Sequence, residues 1–284
     1  ASLNSSEIRA IGSHGQTICH APQATPPYTV QLGCGHTISA LTKLPVVADF
    51  RMGDIVLGGQ GAPFAPLYHQ VLFQNLEKPL AVLNLGGIAN LTYLMPDIRV
   101  KGYDVGPANA LLDAWTFQHL GKTYDKDGAW AAQGKVIPAL LERLLADPFF
   151  SKASPKSIGK EYYSLHWLST FLTAEMLPED VQATLLSLTI TCVQRALEHD
   201  KADSKRLLVS GGGVHNIKLM QLLATALPHV NVESTAVCGI DPDFIEAMLF
   251  AWLASKNLAR EPVDLRMITG SKEKRVLGCF YPTY

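Results

Sequence analysis

Apolar positions fall in short blocks divided by glycine- and proline-rich stretches, and their spacing switches between two and about 3.6 residues. Residues 8–18 read as a strand running into the polar turn GSHGQT. After a proline-rich loop at 21–27, residues 28–32 alternate as a strand. The pattern then predicts a helix over 35–44 and a short buried strand over 45–48. ADFRMGDIVLGGQGAPFAP follows, a long loop of the kind that is functional or disordered in compact domains. Its mix of Arg51, Asp54, Gln60 and several glycines favours function.

Residues 67–73 look helical, and the polar stretch 75–79 suggests a lobe boundary. Strands over 80–85, 90–95 and 98–104, joined by short turns, predict an antiparallel meander. A helix over 108–120 follows, with Leu111, Leu112 and Trp115 at apolar spacing, and 136–199 is mainly helical. A strand over 206–209 stops at three glycines and is followed by a helix over 217–227 and a strand over 230–233. The helix expected over 241–257 has Asp241 as N-cap, Pro242 at its first position and an apolar face of Phe244, Ile245, Met248, Leu249 and Trp252. Alternating strands and helices predict α/β architecture, and the meander predicts mixed rather than purely parallel sheets.

Composition narrows the function classes. Charged residues are 17% of the 284, against roughly 25% in an average domain. That points to large buried surfaces between lobes or subunits, a homodimer among them. The 24 basic and 25 acidic residues give a net charge of −1, with no basic run to meet a phosphate backbone. Nucleic acid is therefore not an expected partner. The five cysteines are scattered and include no C-x-x-C, which reads as reduced thiols in a cytoplasmic protein and not as a zinc site. No apolar run approaches the roughly 18 residues that would span a bilayer, so no membrane role is expected.

Five segments carry candidate chemistry, each beside a plainer reading. NLGGIAN (84–90) is strand, Gly-Gly turn, strand; its glycines could bring backbone N–H groups to phosphate oxygens, or simply close a hairpin. YDVGPANALLDAW (103–115) puts Asp104 at a strand end before a helix, a place for a general base or for a turn-bracing carboxylate. LLVSGGGVHN (207–216) is not G-x-G-x-x-G; its triple glycine offers a nucleotide a flat backbone surface, or lets helix and sheet pack closely. GSHGQT and ADFRMGDIVLGGQGAP together supply His14, Gln16, Thr17, Asp49, Arg51, Asp54 and Gln60, a multidentate surface suited to a sugar, with Arg51 able to fork onto a carboxylate. A single His such as His14 could equally be a hydrogen-bonded core residue. In DPDFIEAMLFAWLA (241–254), Glu246 sits in a helix first turn, where an acid also simply suits the macrodipole. No H-E-x-x-H, G-x-S-x-G or Walker A sequence occurs, so zinc, serine-hydrolase and P-loop chemistries lack support.

In this order and spacing the five segments resemble the anhydro-N-acetylmuramic acid kinases. The resemblance implies the two-lobed sugar kinase/Hsp70/actin-like (ribonuclease H-like) α/β fold with mixed sheets. It implies a first, sugar-binding lobe at 1–76 plus 262–284 and a second, nucleotide-binding lobe at 77–261. It also implies ATP and Mg2+ as cofactors and an anhydro-sugar substrate, opened with water and phosphorylated on O6 to N-acetylmuramic acid 6-phosphate in cell-wall recycling. By the same resemblance Asp104 is the general base and Glu246 its partner acid. His14, Gln16, Thr17, Arg51, Asp54 and Gln60 face the sugar. Asn84, Gly86, Gly87, Asn90, Gly106, Gly211, Gly212, Gly213 and Asn216 hold the nucleotide. No residue is assigned to a metal. The family's leading G-T-S-x-D-G type loop has no counterpart here. About the first 80 residues are therefore expected to be lacking, and a chain with its first lobe so truncated is expected to be weakly active or inactive. Rival readings are another sugar or acetate kinase of the superfamily, or a non-catalytic sugar- or nucleotide-binding protein.

Overall fold

The computed structural model describes residues 4–97, 100–159, 161–200 and 204–283. In chain order the strands are β1 (Ile11–Gly12), β2 (Gln16–Ala21), β3 (Tyr28–Leu32), β4 (Val46–Ala48), β5 (Leu80–Leu85), β6 (Ile88–Leu94), β7 (Val100–Pro107), β8 (Arg206–Ser210), β9 (Asn231–Ser234) and β10 (Cys279–Tyr281). The helices are α1 (Gly35–Thr42), α2 (Met52–Ile55), α3 (Ala65–Leu72), α4 (Asn109–Leu120), α5 (Pro138–Leu145), α6 (Pro148–Ser151), α7 (Leu165–Ser169), α8 (Pro178–His199), α9 (Ile217–Ala226) and α10 (Ile245–Leu258). The expected start of β7 at residue 98 lies outside the described residues.

The chain divides into two compact units, Ala1–Leu72 with Ile245–Tyr284, and Phe73–Phe244. The return to the first unit thus comes at 245 and not at 262 as expected. The reason is α10, which packs on β1, β4 and α3. Gly12 of β1 lies so close to the Phe250 carbonyl that any Cβ there would overlap it. In the first unit β4 is the central strand of a three-stranded sheet, parallel to β1 and antiparallel to β10, while β2 and β3 form a separate hairpin. The last strand is fastened by the Asn257 side-chain amide, which donates to the Leu277 and Gly278 carbonyls at 2.8 Å each.

The second unit holds a five-stranded sheet in the order β7-β6-β5-β8-β9. β7, β6 and β5 are antiparallel, and β5, β8 and β9 are parallel. The meander and the alternating β-α tail were both legible in the residue pattern, and together they make the sheet mixed. Leu83, Leu85, Leu91, Tyr103 and Val105 join α4, α8 and α9 in one apolar core. At ~25 cal/mol per Å² of apolar area, burying side chains such as these is the main driving force of the fold. No described helix is long and apolar enough to cross a membrane.

The helix expected from 241 begins at 245. Asp241 caps locally instead, its carboxylate accepting from the Asp243 N–H at 3.0 Å, and the Pro242 carbonyl is engaged by the Gly211 N–H at 3.0 Å. Phe244, expected on the apolar face, is 58% exposed, while Phe250 and Leu253 are buried.

Two histidines of the first unit tie its stability to pH. Burial holds the His69 imidazole down at about 3. Burial, followed by the charge of Arg51, holds His14 at about 4. A depressed imidazole contributes fully above its unfolded value of 6.5, and the contribution is lost as the pH falls from there toward about 4 for His14 and about 3 for His69. The loss runs at up to about 1.4 kcal/mol per pH unit for each. Urea unfolding is therefore expected to show a lower midpoint at pH 5 than at pH 7.5, with a shallower fall in His69→Gln. Equal midpoints would contradict this.

Candidate active site

In the first unit the polar residues gather at the C-terminal end of β4. Buried Val46 and Val47 lead to Ala48, and the chain then turns at Asp49 with φ of 54°. That left-handed conformation is uncommon for a residue other than glycine and marks a constrained position. Phe50 is buried and packs against Phe250, which fixes the turn. The Asp49 carboxylate is left exposed, with the Cys279 thiol 3.9 Å from Oδ2. Partial burial raises its pKa above the ordinary carboxylate value, against smaller lowering by hydrogen bonds from Cys279 and the Met52 backbone.

Two residues on, Arg51 is fixed on several sides. Its Nε donates to His14 Nε2 at 2.9 Å, its Nη1 donates to the Gly61 carbonyl at 2.6 Å, and its guanidinium lies 5.3 Å from the Phe64 ring centre. His14 in turn stacks on Phe250 at 4.4 Å. The depressed pKa of His14 keeps the ring neutral, as an acceptor from Arg51 requires.

Asp54 corrects the expectation of a sugar contact. It is 1% exposed, and its carboxylate accepts from the Gly61 N–H at 2.7 Å and the Thr269 hydroxyl at 2.8 Å. Burial raises its pKa, and those hydrogen bonds oppose the rise. Asp54 therefore braces the GGQGAP loop from behind. Asp54→Ala leaves two partners without an acceptor and is expected to cost about 3 kcal/mol, read as a lower midpoint in thermal unfolding. An unchanged midpoint would show that the loop is held by other contacts. The Gln60 N–H donates to the Thr269 carbonyl at 3.0 Å, in the same loop. Gln16 and Thr17 lie on the β2–β3 hairpin, Gln16 exposed and the Thr17 hydroxyl accepting from Gln31 Nε2 at 3.2 Å.

In the second unit, register lines up a polar row across four strands: Ser210, Asn84, Asn90 and Asp104 are successive partners on β8, β5, β6 and β7. Asn90 Oδ1 is buried without a hydrogen-bond partner among the described residues. Asp104 is 6% exposed, and Oδ2 accepts from the Ile158 N–H at 2.9 Å.

The carbonyls of Gly86 and Gly87 accept from the first N–H groups of α4, Gly86 from Asn109 at 3.0 Å and Gly87 from Ala108 at 3.1 Å. The Asn109 side chain adds a bond to the Leu85 carbonyl at 2.8 Å. The Gly-Gly turn is thus tied to the helix start, which leaves only its other side for an anion. The triple glycine splits by role. A Cβ on Gly211, whose φ is 80°, would lie 2.7 Å from Asn84 Oδ1 and 2.8 Å from the Leu85 carbonyl oxygen, and one on Gly213 would lie 2.5 Å from Leu85 Cβ. On Gly212 the nearest atom is Asn109 Nδ2 at 3.8 Å, so this residue alone of the three faces open space. Gly106 packs on Cys192 of α8 and is a spacer. Asn216 caps α9, its Oδ1 accepting from the Leu219 N–H at 2.9 Å. Glu246 is exposed in the first turn of α10, in the first unit and not in the second lobe as expected.

The same rule that singled out Asp104, a carboxylate at the C-terminal end of a strand, applies equally to Asp49 after VVA; the open position is what distinguishes them.

The chain is 53% identical over 276 residues to an anhydro-N-acetylmuramic acid kinase of Legionella pneumophila (strain Paris), covering 97% of this chain and 75% of that protein. It is 50% identical over 278 residues to one of Pseudomonas syringae pv. tomato, covering 97% and 76%. A xylulose kinase structure from Rhodospirillum rubrum aligns over 75% of this chain and 42% of its own, at 18% identity and a TM-score of 0.42, too distant to bear on function. With residues 1–283 matching the model for anhydro-N-acetylmuramic acid kinase, the chain belongs to that family.

Proposed function

We propose that the protein uses ATP and water to convert 1,6-anhydro-N-acetylmuramic acid into N-acetylmuramic acid 6-phosphate, a step of peptidoglycan recycling. The observation that carries the reading is the open carboxylate of Asp49, its pKa raised by partial burial, two residues before Arg51, whose guanidinium is held by His14 and Gly61. Asp49, rather than Asp104, takes a proton from water as its oxygen attacks C1. The C1–O6 bond breaks, and the electron pair released on O6 attacks the γ-phosphorus of ATP, expelling ADP. A base with a raised pKa is better matched to that proton transfer. Arg51, whose planar guanidinium matches a carboxylate in geometry and charge, suits the sugar's carboxylate. Glu246 is the second acid of the reaction.

Gly212 and the free side of the Gly86-Gly87 turn lie against the nucleotide. Mg2+ fits the polar row, since it commonly takes one or two carboxylates together with phosphate oxygens and water. Asp104 and the unpartnered Asn90 Oδ1 would hold it, and it would neutralise charge on the phosphates. An ATP-consuming reaction and unpaired cysteines support a cytoplasmic location, and the low charged fraction supports a homodimer.

The test is ADP release with ATP and a panel of sugars. Turnover is expected with 1,6-anhydro-N-acetylmuramic acid and not with N-acetylmuramic acid, glucose or acetate. Turnover on an open-ring sugar or acetate instead would overturn the reading.

A further inference from the structure

The second unit contains a cavity of about 590 Å³ that shares no residue with the Gly-Gly turn, the triple glycine or the polar row. It lies among β7, the end of α5, α6 with the residues after it, and the last turns of α8. Tyr103, Val105, Leu145 and Phe150 give it an apolar body. Lys152, Lys156 and Arg195 bring positive charge to it.

Both acids in the lining are already engaged. Asp147 accepts from the Phe149 N–H at 2.9 Å, Trp167 Nε1 at 3.0 Å and the Tyr162 hydroxyl at 3.1 Å. Asp200 accepts from Lys101 Nζ and the Tyr103 hydroxyl, both at 2.6 Å. Lys156 donates to the Phe149 and Phe150 carbonyls and lies 4.7 Å from the Phe149 ring centre. The guanidinium of Arg195 and the ammonium of Lys152 have no hydrogen-bond or ion-pair partner among the described residues; Lys152 only approaches the Phe149 ring, at 6.0 Å. Two cations without partners in the lining of an apolar cavity of ligand size form a site with few polar groups and an excess of positive charge.

We propose that this cavity is a second binding site, for a small organic phosphate whose apolar or ring body enters between Tyr103 and Phe150 and whose head is held by Arg195 and Lys152. Arginine matches phosphate with two parallel donors, and lysine adds a second charge for a dianionic head.

Isothermal titration with phenyl phosphate tests this, with a non-hydrolysable ATP analogue at saturation. One saturable event per chain is expected, weakened about tenfold or more in Arg195→Glu, as loss of charge-assisted hydrogen bonds implies. Lys152→Gln should weaken it as well. Both residues are exposed, so unchanged circular dichroism and unchanged kcat are expected in each variant. The proposal is overturned if phenyl phosphate fails to saturate, binds both variants as it binds the unaltered protein, or is excluded by the ATP analogue.

Discussion

Replacing Asp49 by Asn is expected to lower kcat by about 10²–10⁴-fold, the usual contribution of a positioned general base. The substitution keeps the size and shape of the side chain and takes away only its ability to accept a proton. Asp49 stands at the end of a buried strand on a left-handed backbone, with Phe50 anchoring the turn. Asn tolerates that conformation as well as Asp does, so the fold should be unaffected. ATP binding should also persist, because the residues proposed for the nucleotide belong to the other unit. Asp104→Asn discriminates between the two carboxylates. It weakens a buried bond to the Ile158 N–H and a ligand proposed for Mg2+, so it should raise the KM for the Mg2+–ATP complex. Ring opening that survives in Asp49→Asn but is lost in Asp104→Asn would return the base to Asp104.

The triple glycine supplies the second large effect, because three neighbouring residues of one type should respond differently. Gly211→Ala forces a Cβ against the Leu85 carbonyl oxygen at 2.8 Å, on a backbone with φ of 80°. Gly213→Ala drives one to 2.5 Å from Leu85 Cβ, and Leu85 is fully buried at the end of β5. Overpacking of this kind costs about 1–3 kcal/mol, with roughly 1 kcal/mol more at Gly211 for the left-handed backbone. Gly212→Ala meets nothing nearer than 3.8 Å and should leave unfolding unchanged. Its Cβ instead occupies space proposed for the nucleotide, so the KM for ATP should rise. Denaturant unfolding and ATP kinetics on the three variants read both effects. A destabilised Gly212→Ala with normal ATP kinetics would place that residue in the packing with its neighbours.

The elements were largely legible where period and punctuation agreed. β3 and β5 occupy the residues predicted for them, and the end of β4 came from a short buried run. The start of α10 was not legible. Asp-Pro is a strong helix-start signal, yet here Asp241 closes a local turn and the Pro242 carbonyl serves Gly211, thirty-one residues earlier in the chain. The unit boundary went with it, because tertiary contacts such as that between Gly12 and Phe250 decide which sheet α10 covers. The candidate site was legible as a set of segments and less so as roles. The polarity of Asp54 and Asp104 was plain in the sequence, but burial decides which carboxylates are braces and which is open, and burial depends on residues as remote as Thr269 and Ile158.

In the proposed reaction, water opens the anhydro ring while O6 receives the phosphoryl group. Mass spectrometry of the product formed from 1,6-anhydro-N-acetylmuramic acid and ATP in ¹⁸O-labelled water tests it most directly. The predicted result is one ¹⁸O on C1 and an unlabelled phosphate on O6. Label in the phosphate with none on C1, or a phosphorylated product that retains the anhydro ring, would contradict it.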